Sequence, residues 1–215
     1  MKLYIQPVVN IFQTNAYFFI DEKTKHGFLI DPGVQGELLL KLIDEKGWEI
    51  EKVLLTHGHF DHSYQAAKVA DTLHIPVVVN EHAKDFMAND DLNLAHKYHQ
   101  HVAWPKNVIF TKEDELIWSN DKSFNLQAIY TPGHTPDSQI FYSKENNLAI
   151  VGDMGYDNNI GLTIFSKGDK ELLLKSIKEK ICALPDTTYL LSGHNSPMIV
   201  GQLKQILASD YGIRI

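Results

Sequence analysis

The stretch LLTHGHFDHS, Leu54 to Ser63, decides how the rest of the chain is read. It continues an apolar run, KVLLT, that begins at Lys52 and reads as a strand. His57, His59, Asp61 and His62 then fall within six positions. An HxH pair alone is an ordinary polar turn. Four nitrogen and oxygen donors delivered to a sheet edge by a strand, with alternate side chains converging in the turn, point instead to metal binding.

Three more donors stand at comparable places. His134 follows the strand-like FNLQAIYTPG, Asp153 ends NLAIVGD, and His194 ends TTYLLSGH. Each comes directly after a glycine. In α/β sheets, sites gather beyond one set of strand ends, where loops converge while the strands fix their spacing. Together these positions supply seven nitrogen and oxygen donors and no thiolate, a set suited to two borderline or hard cations rather than to a structural zinc knot.

Around this frame the chain alternates strand-like and helix-like segments. AYFFID (Ala16 to Asp21) and HGFLID (His26 to Asp31) flank the polar turn EKTK and read as a hairpin. GELLLKLIDEKG has an apolar helical face at positions 38, 39, 42 and 43 and Gly47 as a C-cap. KVLLT and PVVVN bracket a helix expected over Tyr64 to Leu73, the order of a βαβ unit. A β-rich stretch follows (NVIFT, ELIWS, FNLQAIYT, SQIFYS, NLAIVG), and the end reads helix, strand, helix. No repeat or linker breaks the chain. The expectation is a layered α/β protein with mixed or antiparallel sheet. Ala83 to Pro105, with His82, His96, His99 and His101 in or beside it, reads as either helix or ordered loop.

With 215 residues, 44% apolar and 22% charged, the composition is that of a globular protein, and one domain over residues 1–215 is expected. A formal charge of −7 with no basic cluster argues against nucleic-acid binding. MKLYIQPVVNIFQTNAYFFI is too interrupted by polar residues for a signal peptide or a membrane span. A cytoplasmic protein with no membrane or nucleic-acid partner, acting on a small molecule, is expected. The lone cysteine, Cys182, forbids an internal disulfide and reads as a buried thiol. His26 and His74 read as surface or turn residues, and His82 as a helix cap. His96, His99 and His101 lack the strand-end placement of the other histidines.

In that order, THGHFDH, TPGHT, VGD and SGH resemble the metallo-β-lactamase superfamily over nearly the whole chain, and TPGHTPDSQIFY and SGHNSP are most similar to its short glyoxalase-II-like hydrolases. The resemblance implies a four-layer αββα sandwich with the site on the edge between two sheets. It implies that His57, His59 and His134 hold one metal, that Asp61, His62 and His194 hold a second, and that Asp153 bridges them. Two zinc ions are the implied cofactors, with iron or manganese as alternatives. Asn15 in QTNAYFF and Asp31 in LIDPG match positions that support the ligands from behind in such proteins, although Asp-Pro-Gly is also a good turn by itself.

Two metals about 3.5–4 Å apart hold a hydroxide at neutral pH, so no serine or cysteine nucleophile is needed. Asp61, besides ligating, is expected to orient that hydroxide and take its proton. With no general acid in view, a thiolate leaving group is favoured, hence hydrolysis of a small thioester. Phe60, Tyr64, Met154, Tyr156 and Phe165 flank the ligands as pocket residues or as core. Two departures weigh against S-lactoylglutathione itself. Only 21 residues (215 − 194) follow His194, where long glyoxalase II proteins add a glutathione-binding domain, and where the family often has a Gly-Arg-x-Asp element after Asp153 this chain reads GYDNNIGLTIF. Alternatives on the same scaffold are a persulfide dioxygenase with one iron on His57, His134 and Asp153, a lactonase or β-lactamase, and a metal-binding protein without activity.

Overall fold

The computed structural model describes residues 1–9, 12–156, 159–194 and 196–213. The chain begins with strands β1 (Lys2–Val9), β2 (Gln13–Ile20) and β3 (His26–Ile30), which pair antiparallel, β2 and β3 forming the expected hairpin. Pro7 is accommodated because β1 is the edge of its sheet. Helix α1 (Gly36–Lys46) crosses to β4 (Glu49–Leu54) and ends at Gly47, whose φ of 61° is the left-handed cap that glycine adopts without strain.

The helix expected over Tyr64 to Leu73 is α3 (Ala66–Leu73), preceded by a separate turn of helix, α2 (Phe60–Ser63). The break is fixed by the Gln65 amide, which donates to the Pro32 carbonyl at 3.2 Å. Strand β5 (Val77–Asn80), helix α4 (Ala83–Met87), a 3₁₀ turn over Ala95–Tyr98 and strand β6 (Val108–Thr111) follow. Strands β3 to β6 are parallel, so β1 to β6 form one mixed sheet in sequence order.

The second sheet takes β7 (Glu115–Trp118), β8 (Asn125–Tyr130), β9 (Gln139–Ser143) and β10 (Leu148–Gly152) as a meander. After a ribbon of β11 (Gly155–Tyr156) and β12 (Asn159–Ile160) comes α5 (Lys170–Ser176), extended by a π-helical turn over Ile177–Ile181. Strand β13 (Tyr189–Ser192) then joins β10 in parallel, β14 (Met198–Ile199) closes the edge, and α6 (Val200–Asp210) covers it.

Side-chain alternation explains the stacking. Along β2, Tyr17 and Phe19 point to one side and Ala16, Phe18 and Ile20 to the other, yet all are buried. A strand buried on both faces must read as a continuous apolar run, as AYFFI does. Tyr17, Phe19, Phe28, Leu54 and Val78 pack against Leu126, Phe141, Ile150 and Leu191 between the two sheets. The outer face of the first sheet packs Phe18, Leu29 and Val53 on Leu39 and Ile43 of α1 and Val69 of α3. The outer face of the second packs Ile140, Ala149 and Leu190 on Leu173 of α5 and Leu203 of α6. Three cores between four layers make an αββα sandwich. No helix among the described residues is long and apolar enough to cross a membrane.

Candidate metal centre

Strands β8, β10 and β13 run in one direction, since β9 is antiparallel to β8 and β10 while β13 is parallel to β10. Their C-terminal ends deliver His134, Asp153 and His194, and the end of β4 delivers His57. Gln139 pins the two sheets together here, its backbone N–H donating to the Thr56 carbonyl at 2.8 Å and its Nε2 to the Leu55 carbonyl at 2.9 Å. The glycines before these candidate donors have a steric role. A Cβ on Gly193 would stand 2.3 Å from His62 Cε1 and 2.6 Å from Asp153 Oδ1, so no other residue lets the turn come this close.

The seven donors meet in one place. His57, His59 and His134 bring their nitrogens within 4.8 Å of one another, as do the donor atoms of His57, His62 and Asp153 and those of Asp61, His62 and His194. His59 Nδ1 lies 3.2 Å from His57 Nε2 and 3.0 Å from His134 Nε2. Nitrogens sharing one tetrahedral zinc at about 2.0–2.1 Å stand roughly 3.3 Å apart, so this spacing suits a single small cation. On the other side, His194 Nε2 approaches Asp61 Oδ2 at 3.3 Å and Asp153 Oδ2 at 3.4 Å, while His62 Nε2 lies 3.3 Å from Asp153 Oδ1. Asp153 Oδ2 is also 3.6 Å from His134 Nε2, so this carboxylate faces both clusters.

The outer ring nitrogens are held by acceptors, which turns the other nitrogen of each ring inward. His134 Nδ1–H donates to the Leu162 carbonyl and His194 Nδ1–H to the Gln13 carbonyl, each at 2.7 Å. Asp31, fully buried, collects the other two. It accepts from His62 Nδ1 at 2.9 Å, from the Thr56 amide at 2.8 Å and from Thr56 Oγ1 at 2.7 Å. Because that hydroxyl has given its proton to Asp31, it accepts from His57 Nδ1, 3.1 Å away. Such outer partners fix tautomer and ring orientation in metal sites. Asn15 works on the His194 turn, its amide donating to the Gly193 carbonyl at 2.7 Å and its Nδ2 to the Ser192 carbonyl at 3.1 Å.

Charge is divided between the two clusters. Burial pushes His57 and His134 down and His59 to about 3, so all three are neutral donors at pH 7. Burial also opposes charge on His62 and His194, but the carboxylates of Asp61 and Asp153 outweigh it, raising His62 and bringing His194 to about 10. Among the described residues, His62 Nε2 and Asp153 Oδ1 are buried side-chain atoms that face the clusters without a hydrogen-bond partner, whereas His59, whose Nδ1 faces the cluster, has its outer Nε2 unpartnered. Inward-facing orphaned atoms of this kind call for a bound water or ion. The donor types, their spacing and these inward atoms fit a pair of divalent cations.

A cavity of about 340 Å³ opens over the centre, lined by Phe60 and Phe165 but not by Tyr64, which packs on the first core, or by Met154, which lies in the core beneath α5 and α6. The expectation for the Tyr156 side chain lies outside the described residues. Phe12, Leu94, Tyr98 and Leu162 also line the cavity, and none was marked by periodicity or spacing. Thr14, Tyr17 and Thr56 were equally invisible as supporting residues. Only their neighbours in QTNAYFF and LLTHGH carried a signal.

The other histidines have local roles. His96 pairs with Asp91 and His101 with Asp90, both exposed, and His99 sits in a left-handed turn with φ 54°. His82 stands at the start of α4 without a side-chain cap bond, and its amide donates to Asn80 Oδ1 at 3.0 Å. Cys182 is buried, and burial pushes its thiol to about 11.

A family model described as the metallo-beta-lactamase superfamily matches residues 9–194. The chain is 37% identical to the "Probable metallo-hydrolase YqgX" of Bacillus subtilis (strain 168), covering 90% of each chain. It is 30% identical to "Hydroxyacylglutathione hydrolase GloC" of Haemophilus influenzae, covering 95% of this chain and 96% of that one. Among solved structures, it is similar to the BLEG-1 B3 metallo-beta-lactamase (TM-score 0.85, 29% identity, 95% and 97% coverage). It is also similar to TTHA1623 in a di-iron-bound form (TM-score 0.80, 28% identity, 93% and 96% coverage).

Proposed function

The chain belongs to the metallo-β-lactamase superfamily, and from that premise we propose that it is a dinuclear metal-dependent hydrolase of small thioesters. The observation that carries this reading is the convergence of seven nitrogen and oxygen donors, with unpartnered atoms aimed inward, at the floor of an open cavity. The relative named as a hydroxyacylglutathione hydrolase supports thioesters as the substrate class. His57, His59 and His134 would hold one cation, Asp61, His62 and His194 the other, with Asp153 between them. We propose zinc for both, with iron as the rival because a relative is known in a di-iron form. A single buried thiol, Cys182, fits a reducing cytoplasm.

Two bound cations would supply a hydroxide nucleophile from water at neutral pH and polarise the substrate carbonyl. The protein's own groups do the rest. Asp61 lines the cavity with Oδ2 fixed by the Thr14 hydroxyl at 3.2 Å. Burial opposes its charge, but His62 and His194 keep it ionised, ready to accept a hydrogen bond from the attacking water and take its proton. With cations bound, the inward nitrogens of the four held imidazoles would serve as ligands and not as proton donors. A thiolate departs without a proton, which suits a cavity lined, among the described residues, by no lysine, arginine or cysteine.

The test is hydrolysis of a panel of small thioesters by metal-loaded protein and by Asp61→Ala. The expected result is turnover by the wild type and a loss of about 100-fold or more in the variant. Equal turnover in the two would remove Asp61 from the reaction. A second reading, hydrolysis of a β-lactam amide, is favoured by the similarity to a B3 metallo-β-lactamase. A chromogenic cephalosporin hydrolysed as efficiently as the best thioester would move the assignment there.

A further inference from the structure

Resting on the thioesterase reading, we infer that the cavity over the metal centre receives the acyl half of the substrate, and that this acyl group is uncharged and apolar, of aryl or short branched-chain size. Its walls are carbon-rich and come from four separate parts of the chain. Phe12 enters just before β2, Phe60 from α2, Leu94 and Tyr98 from the 3₁₀ segment, and Leu162 and Phe165 from the loop after β12. These rings are held by one another. Phe60 and Tyr98 have centroids 4.9 Å apart, Phe12 meets Tyr98 edge-on at 5.6 Å, and Phe165 stands edge-on to His59 at 5.6 Å. Aromatic pairs at these distances form a stable wall rather than a collapsible one.

Among the described residues, the polar side chains lining the cavity are His59, Asp61, Asp153 and His194 of the metal centre, with Gln13 and Tyr98 beside them. Among the described residues, no lysine or arginine lines it. Lys97 reaches the region only from the exposed surface, its Nζ 5.9 Å from the Phe165 ring. An acyl chain ending in a carboxylate would therefore give up its hydration against aromatic rings, beside Asp61 and Asp153, with no side-chain cation to receive it. A volume of about 340 Å³ lies at the small end of ligand pockets and suits one half of a thioester. The thiol half then extends over the open rim, where Phe12 and Leu162 are 44% and 45% exposed.

The experiment uses thioesters of one neutral thiol, N-acetylcysteamine, carrying acetyl, hexanoyl, phenylacetyl or succinyl groups, with the metal-loaded full chain. Hexanoyl and phenylacetyl thioesters are expected to exceed acetyl by about tenfold in kcat/KM. They should exceed the charged succinyl thioester by about 100-fold or more. Tyr98→Ala and Leu162→Ala, the latter at an exposed position where truncation spares the fold, should cut the phenylacetyl-to-acetyl ratio about tenfold. Calorimetric binding of the matching thioether ketones, which cannot be hydrolysed, gives a readout independent of turnover. If no thioester is hydrolysed yet the phenyl ketone binds tightly and the succinyl ketone does not, the pocket assignment stands and the thioesterase reading falls. If thioesters are hydrolysed but succinyl matches hexanoyl, or the two ketones bind equally, the apolar-acyl inference is overturned and the thioesterase reading survives.

Discussion

Tyr17 in the first sheet donates its hydroxyl to the carbonyl of Ser192 in the second at 2.6 Å, two residues before His194. It is one strand of a clasp. Within five residues of β2, the Gln13 carbonyl orients His194, Thr14 holds Asp61, and Asn15 and Tyr17 both reach the Ser192 carbonyl. The first sheet thus sets the position of a donor carried by the second. Burial pushes the Tyr17 phenol well up, so it stays a donor throughout the working pH range.

Tyr17→Phe removes only that hydroxyl. The expected cost is about 1 kcal/mol of stability and about tenfold in affinity for the second cation, read by thermal denaturation and metal titration. An unchanged affinity for both cations would show that the clasp does not position His194.

Asp31 joins both clusters, through His62 directly and through Thr56 to His57. Its φ of 50° is a left-handed conformation that asparagine tolerates, so Asp31→Asn keeps the turn while removing the carboxylate. Metal affinity should fall about 10- to 100-fold. Competition against a chromogenic chelator measures it, and a loss confined to the His57 cluster would contradict the shared anchor.

Proton release should separate the two cations. His62 and His194 are raised and hold protons at pH 7 in the metal-free protein, whereas His57, His59 and His134 are pushed down and do not. A cation needs the lone pairs, so the second binding event releases about two protons and weakens as pH falls, while the first does neither near neutrality. Calorimetry in buffers of different ionisation enthalpy detects this, and buffer-independent heats for both events would refute it.

His26 gives a pH effect away from the centre. Its Nδ1 lies 2.8 Å from Glu51 Oε1 and its Nε2 3.2 Å from Glu49 Oε2, and the hydrogen bond to Glu51 raises its pKa, against a smaller pull from burial. A raised folded pKa stabilises below the unfolded value of about 6.5 and is lost as pH rises through the folded one. His26→Ala should therefore lower Tm at pH 6 and leave it nearly unchanged at pH 9. A deficit that is equal at both values would point to packing instead.

Much of this was legible because it is local. The hairpin, the Gly47 cap and the strand-end donors each declare themselves within about ten residues, through periodicity or a glycine before a ligand. The sorting of strands was not. Only Lys112 to Asp114 separate β6 in the first sheet from β7 in the second, and which sheet accepts a strand depends on distant partners. The cavity wall was hidden for a similar reason. Leu94 and Tyr98 lie in a segment without helical or strand period, held in place by buried Asn93, whose Nδ2 donates to the Met87 carbonyl at 2.7 Å and whose carbonyl accepts the Phe60 amide at 2.9 Å. Such side-chain anchors leave no pattern in the sequence.

Metal content measured together with turnover bears most directly on the central claim. Protein stripped by chelation should have no thioesterase activity, and titration with zinc should restore it up to two ions per chain. Full turnover in the stripped protein would contradict the account. So would a single iron per chain with oxygen uptake on a persulfide in place of hydrolysis.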